Sequence, residues 1–185
     1  MPRLISPRFI AFLRAINVGG HIVKMTQLKT AFEALGLKDV ETFIASGNVI
    51  FTTRATDTAA LEKTIETRLR KALGYDVATF LRTDAEVAAV AGYPAFKAAQ
   101  ITGAKAFCVG FTGKPLDAAA KKALMRFKSA DEDFHTNGRE VYWLSMVGQG
   151  HSTFNNASLE KALQIRSTFR SLTTVVRLAA KYKPL

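Results

Sequence analysis

The chain has 185 residues, 26 of them Lys or Arg against 15 Asp or Glu, for a formal net charge of +11. An apolar fraction of 48% and a charged fraction of 22% are those of a folded globular protein and exclude a disordered or fibrous chain. A single cysteine, Cys108, excludes a disulfide framework and any multi-thiolate zinc site.

Phe9 to Leu13 is an apolar run on both parities, the pattern of a central strand covered on both faces. Asn17, Gly19 and Gly20 make Ile16–Val23 a loop. Met25, Leu28, Phe32 and Leu35 then recur at helical spacing, and Gly36 supplies the stop. Val40–Ile44 and Val49–Thr52 are β-rich runs joined through Ser46, Gly47 and Asn48, a hairpin whose tip glycine can take positive φ. A second helix starts at Asp57 or Thr58, carries Leu61, Ile65, Leu69 and Leu73 in one row, and ends at Gly74. A strand over Val77–Leu81 follows, and Thr83 with Glu86 forms a capping box for a short helix toward Val90. This βαββαβ order is the ferredoxin-like unit.

Gly92 to Gly103 reads as a crossover, after which the order begins again. Ala104–Phe111 is a strand, and Pro115 opens a helix with Leu116, Ala120, Leu124 and Phe127. Asn137-Gly138 between two β-rich runs is the strongest hairpin signal in the chain. A loop over Ser145–Asn155 and a short helix from Ala157 to Leu163 come next, and the closing strand is absent or very short around Thr168 and Phe169. Leu172–Tyr182 is helical, with Arg170, Arg177 and Lys181 expected opposite its apolar side. The expected fold is α+β: two ferredoxin-like halves with antiparallel sheets, residues 1–92 and 93–185, the second carrying a C-terminal helix.

Topology narrows where a site would form. In a right-handed βαβ unit the first and second strands run parallel and end at the same rim. The Ile16–Val23 loop and the Ser46-Gly47-Asn48 tip therefore share a rim with the start of the first helix, whose unpaired N–H groups carry partial positive charge. Arg14 and Lys24 add full charges. The candidate ligand-binding set is Arg14, Asn17, Gly19, Gly20, Lys24, Ser46, Gly47 and Asn48, a cradle for a phosphate or carboxylate. A plain turn explains the same glycines equally well, with Asn17 and Asn48 bonding their own loops; no phosphate-loop or dinucleotide fingerprint is present.

These residues also carry a resemblance. Phe12 to Gly20, Lys24-Met25 and Ser46 to Phe51 resemble a bacterial family of unknown function, whose members read Leu-Arg-Gly-Ile-Asn-Val-Gly-Gly and then Ser-Gly-Asn-Val-Val-Phe. The resemblance spans nearly the whole chain and is most specific over Phe12–Phe51. Gly148 to Ser152 is similar to a family Gly-x-Gly-Arg-Ser, and Thr168 to Val175 to Thr-x-Arg-Asn-Trp-x-Thr-Val. The chain departs at Ala15 (Gly in the family), His151 (Arg), Ser171 (Asn) and Leu172 (Trp), which weighs against a site in the C-terminal half. The resemblance implies a duplicated ferredoxin-like fold and brings no activity with it.

Positive charge is concentrated at the two ends. Residues 104–185 hold 13 bases and 6 acids, and from Lys161 onward Lys161, Arg166, Arg170, Arg177, Lys181 and Lys183 meet no acid. The competing function is thus a nucleic-acid-binding module built on the basic C-terminal segment; a protein-interaction scaffold is a third. The three histidines have no metal-ligand spacing, so neither metal nor cofactor is expected. Asp131-Glu132-Asp133 reads as a solvated turn and Cys108 as a buried, inert thiol. The first eight residues, broken by Pro2 and Pro7, lack a signal-peptide core, and no run approaches a membrane span of ~18–20 apolar residues. A cytoplasmic protein with no membrane partner is expected.

Overall fold

The computed structural model describes residues 6–184. Residues 1–5, which include most of the stretch read against a signal peptide, lie outside the described residues. Two compact units emerge: the chain through Ala88 together with the residues from Leu178, and Ala89–Arg177. Each holds one four-stranded antiparallel sheet.

In the first unit β1 (Arg8–Leu13), α1 (Met25–Glu33), β2 (Lys38–Thr42), β3 (Asn48–Thr52), α2 (Thr58–Leu73) and β4 (Thr79–Thr83) give the sheet order β2-β3-β1-β4. That is the ferredoxin-like order, with β1 central. Phe9, Ala11 and Leu13 face the helices and join Leu28, Phe32, Ile65 and Leu69 in one core. Ile10 and Phe12, on the other parity, are equally buried, as expected of a strand covered on both faces. Asp57 caps α2 by accepting from the Ala60 amide, and Gly74 closes it at φ 82°. Thr83 and Glu86 exchange the reciprocal bonds of a capping box at the start of α3 (Asp84–Gly92).

In the second unit α4 (Ala98–Ile101), β5 (Ala106–Thr112), α5 (Ala118–Met125), β6 (Glu132–Asn137), β7 (Glu140–Ser145), α6 (Asn156–Leu163) and β8 (Ser167–Ser171) follow, with sheet order β6-β7-β5-β8. Its core packs Cys108, Trp143 and Val141 against Leu124, Leu159 and Phe154. The fold is therefore α+β, with the ferredoxin-like order present twice. Helix α7 (Leu172–Lys181) ends the chain.

Several local expectations change. The closing strand is present: β8 pairs with β5 over five residues, from Cys108↔Ser171 to Thr112↔Ser167. Arg170 belongs to this strand and is buried, so it does not lie on the wet side of the C-terminal helix. Helix α5 starts at Ala118 with Asp117 as its cap, three residues after Pro115. The crossover contains the short α4, and β4 sits two residues later than its apolar run suggests. Glu132 is buried at the start of β6, where it accepts from Trp143 Nε1 (2.5 Å) and Ser145 Oγ (3.2 Å), so the acidic knot is not wholly a solvated turn. Finally, the last turn of α7 packs with the first unit: Lys181 Nζ and Tyr182 Oη both donate to Glu41, at 3.1 and 2.8 Å.

Candidate functional site

In the first unit the loop after β1 and the β2–β3 bend meet. Asn17 joins them. Its Nδ2 donates to the Ala45 carbonyl in the bend (2.8 Å) and to Val23 (3.3 Å), while its Oδ1 accepts the Val23 amide at 2.7 Å. A second bond, Leu13 N–H to the Gly47 carbonyl (2.8 Å), fastens the end of β1 to the same bend. Gly47 is required here on two counts. Its φ is 77°, and a Cβ would stand 2.8 Å from two Ile16 side-chain carbons.

The other candidate residues divide by what their side chains do. Asn48 is fully buried, and its amide is spent on the Phe43 carbonyl (3.0 Å) and Ser46 Oγ (2.9 Å). Together with Asn17 it shapes the bend. Gly19 and Gly20 have φ of 60° and 87° with open space where a Cβ would stand, so their backbone lies bare to solvent. Lys24 is exposed and is the N-cap of α1; no side chain caps that helix and its first turn holds no acid. Arg14 is half-buried, and its amide is fixed by the Ala78 carbonyl (2.9 Å).

Backbone strain concentrates at this rim. Among the described residues five non-glycines have positive φ, and three of them, Ala15 (59°), Asn17 (54°) and Ile44 (51°), lie in these two loops. Asparagine tolerates that region; a β-branched isoleucine does so only when its surroundings force it. Val18, Ile22 and Ile44 are also among the exposed large hydrophobic residues, Ile22 at 90%.

Two features here are invisible in the sequence. A groove of about 520 Å³ beside Lys24 runs between α1 and α2, with Thr26, Gln27 and Thr30 on one side and Arg68 on the other. The Arg68 Nε is buried without a hydrogen-bond partner. His21 stacks on Tyr75, ring centroids 4.0 Å apart, and the Tyr75 hydroxyl donates to the Ala15 carbonyl (3.2 Å), which braces the loop from outside. Arg68 sits on an amphipathic helix where a charged residue reads as solvated surface, and only the neighbouring helix turns its position into a groove wall.

Elsewhere the chemistry is sparser. Phe9, Phe12 and Phe51 are buried, so the first sheet offers no aromatic platform for stacking bases. Of the C-terminal bases, Arg170 is buried, with burial lowering its pKa to about 10, and donates to Thr168 Oγ1 and the Phe169 carbonyl, both at 2.9 Å. Lys181 is held by Glu41. Lys161, Arg166, Arg177 and Lys183 remain exposed. Burial pushes the Cys108 thiol up to about 11, which keeps it protonated and unreactive at neutral pH. His135 hydrogen-bonds the Tyr93 hydroxyl (2.9 Å). Among the described residues no group of three or more His, Cys, Asp or Glu is placed to hold a metal ion, and no helix is long and apolar enough to cross a membrane.

Comparison with known structures supports the architecture. The conserved bacterial protein SP0830 from Streptococcus pneumoniae is similar with a TM-score of 0.71 at 22% identity, over 96% of this chain and 99% of that one. At that identity the likeness speaks for the fold alone. No curated protein matches the chain. The family model described as "Protein of unknown function (DUF1697)" matches residues 7–142, which takes in all of the first unit's sheet and the loops latched by Asn17. The chain therefore belongs to the DUF1697 family, whose function is unknown.

Proposed function

We propose that the protein binds a small anionic ligand, phosphate- or carboxylate-bearing, at the first-unit rim, with Arg14, Asn17, Gly19, Gly20, Lys24, Ser46, Gly47 and Asn48 as its binding set, and that it does so in the cytoplasm. The observation that carries this reading is the strained backbone gathered there. Three non-glycine residues are held at positive φ in two loops tied together by one asparagine. Such strain costs on the order of 1–3 kcal/mol per residue and persists where the surroundings impose it, most often around a binding site. The chemistry favours an anion: the glycine backbone is bare, the start of α1 is uncapped and carries Lys24, Arg14 follows β1 at the head of the same loop, and the adjoining groove brings Arg68. In this reading Asn17, Ser46, Gly47 and Asn48 shape the cradle, and the cations hold the charge.

The test is a thermal-shift screen of nucleotides, sugar phosphates and small carboxylates, repeated on an Arg14→Gln/Lys24→Gln variant. A hit whose melting shift disappears in the variant supports the site; a shift that survives intact removes it. Nucleic acid is the competing partner, through Lys161, Arg166, Arg177 and Lys183. A gel shift that is retained at low salt and falls steeply as salt rises would favour it over the small anion.

A further inference from the structure

The second unit contains a hollow of about 670 Å³ that owes nothing to the first-unit loops. It lies between the start of β5, the loop after β7 and the first turns of α7. That volume falls within the range of small-molecule sites, roughly 300–1,000 Å³. Its walls are mostly apolar. Phe107 lies within it, and its rim carries Ile101 and Val176, 40% and 45% exposed, which a solvated surface gives no reason to place together.

Two of its lining side chains are hydrogen-bond donors with little to bond. Among the described residues Lys105, exposed, is the one charged side chain lining the hollow, and no acid lines it. Gln149 reaches in from the loop and donates its side-chain amide to Cys108 Sγ at 2.7 Å. A protonated thiol is a weak acceptor, so this amide forgoes most of what a carboxamide N–H gains from an oxygen. An oxygen acceptor entering the hollow therefore wins that donor at small cost. A charged acceptor also satisfies Lys105, and charge-assisted bonds are the stronger ones. Of the other lining residues, Ile101, Phe107, Leu172 and Val176 meet a ligand with hydrocarbon, beside the Ser171 and Thr173 hydroxyls.

We propose that this hollow binds a small amphipathic carboxylate: the carboxylate takes the Lys105 ammonium and the Gln149 amide, and a short alkyl or aryl body lies against Ile101, Phe107 and Val176.

The test is calorimetric titration of the full chain with octanoate, with 1-octanol as the uncharged control. Octanoate gives a saturable isotherm and octanol binds about tenfold more weakly, the ratio expected from one charge-assisted contact. Lys105→Gln weakens octanoate by a similar factor and leaves octanol unchanged; Ile101→Asp, at an exposed position, removes both. Lys24→Gln changes neither, which separates this hollow from the first-unit rim. Equal affinity for acid and alcohol, no saturable binding of octanoate, or a loss with Lys24→Gln but not with Lys105→Gln would each overturn the proposal.

Discussion

Asn17 combines two structural demands that substitution can separate. Its side chain makes three hydrogen bonds, at 2.7, 2.8 and 3.3 Å, and its backbone sits at φ 54°. Counting the two short bonds at about 1 kcal/mol each, removal of the amide costs about 2 kcal/mol. Alanine adds roughly 1 kcal/mol more, because its Cβ is disfavoured in the left-handed region. Glycine escapes that penalty but gives back part of the gain through a more flexible unfolded chain. The expected order of stability in urea unfolding is Asn, then Gly about 2 kcal/mol below, then Ala about 3 kcal/mol below. Amide exchange at Val23, whose N–H is bonded to Asn17 Oδ1, should accelerate in both variants. If Asn17→Ala proves as stable as Asn17→Gly, or if neither departs from the parent by more than ~0.5 kcal/mol, the latch is no latch.

Ala15→Gly relieves a φ of 59° and should stabilise the protein by about 0.5–1 kcal/mol in the same urea assay, after the loss to unfolded-state entropy. Gly47→Ala should do the opposite, by roughly 2–4 kcal/mol, since φ 77° and a 2.8 Å approach to Ile16 penalise it together. Hydrogen bonds from Tyr182 and then Lys181 hold the Glu41 carboxyl below its ordinary 4.5, so the stability it lends is present above that value and is lost as pH falls through the native one. Tyr182→Phe should raise the Glu41 midpoint followed by carboxyl-carbon NMR. The Cys108 thiol, buried and held near 11, should ignore a disulfide reagent at pH 8 in the folded protein and react fully in denaturant; rapid reaction of the native chain would contradict its burial.

The sequence is a good guide where one residue type has one structural use. Asn137-Gly138 turns β6 into β7, with Gly138 at φ 55° and Asn137 paired to Glu140. The Thr83–Glu86 box and the Asp57 cap are local chemistry and stand where they were expected. The failures are tertiary. Strand β8 hides because Arg170 breaks its apolar pattern, and the strand is recoverable only once that guanidinium has Thr168 and the Phe169 carbonyl to bond. Glu132 reads as surface until Trp143 and Ser145, more than ten residues away, arrive as its donors. At the candidate rim, topology predicts which loops are neighbours. It does not predict that Asn17 spans 28 residues to Ala45, nor that Arg68 walls the groove beside Lys24.

The two sheets show a duplication that no residue-level repeat betrays. Ile10↔Arg82 in the first matches Val109↔Arg170 in the second, and both arginines are buried and donate to the carbonyl of the residue before them, Leu81 and Phe169. Phe12↔Asn48 matches Phe111↔Glu140, again with a buried polar partner. Against that common frame the loops have diverged in opposite senses. The first unit lengthens the connection after β1 to residues 14–24, where the second needs only 113–117, and it bends β2 into β3 through residues 43–47, where the second uses Gly138 and Arg139. The second unit instead extends the connection after β7 to residues 146–155, at the rim where β5 begins, while its counterpart after β3 is only 53–57. Each longer loop lies beside a hollow that a lysine lines, and only the first is strained at non-glycine residues. The two rims thus differ in length, strain and chemistry, and the two proposed sites lie one at each.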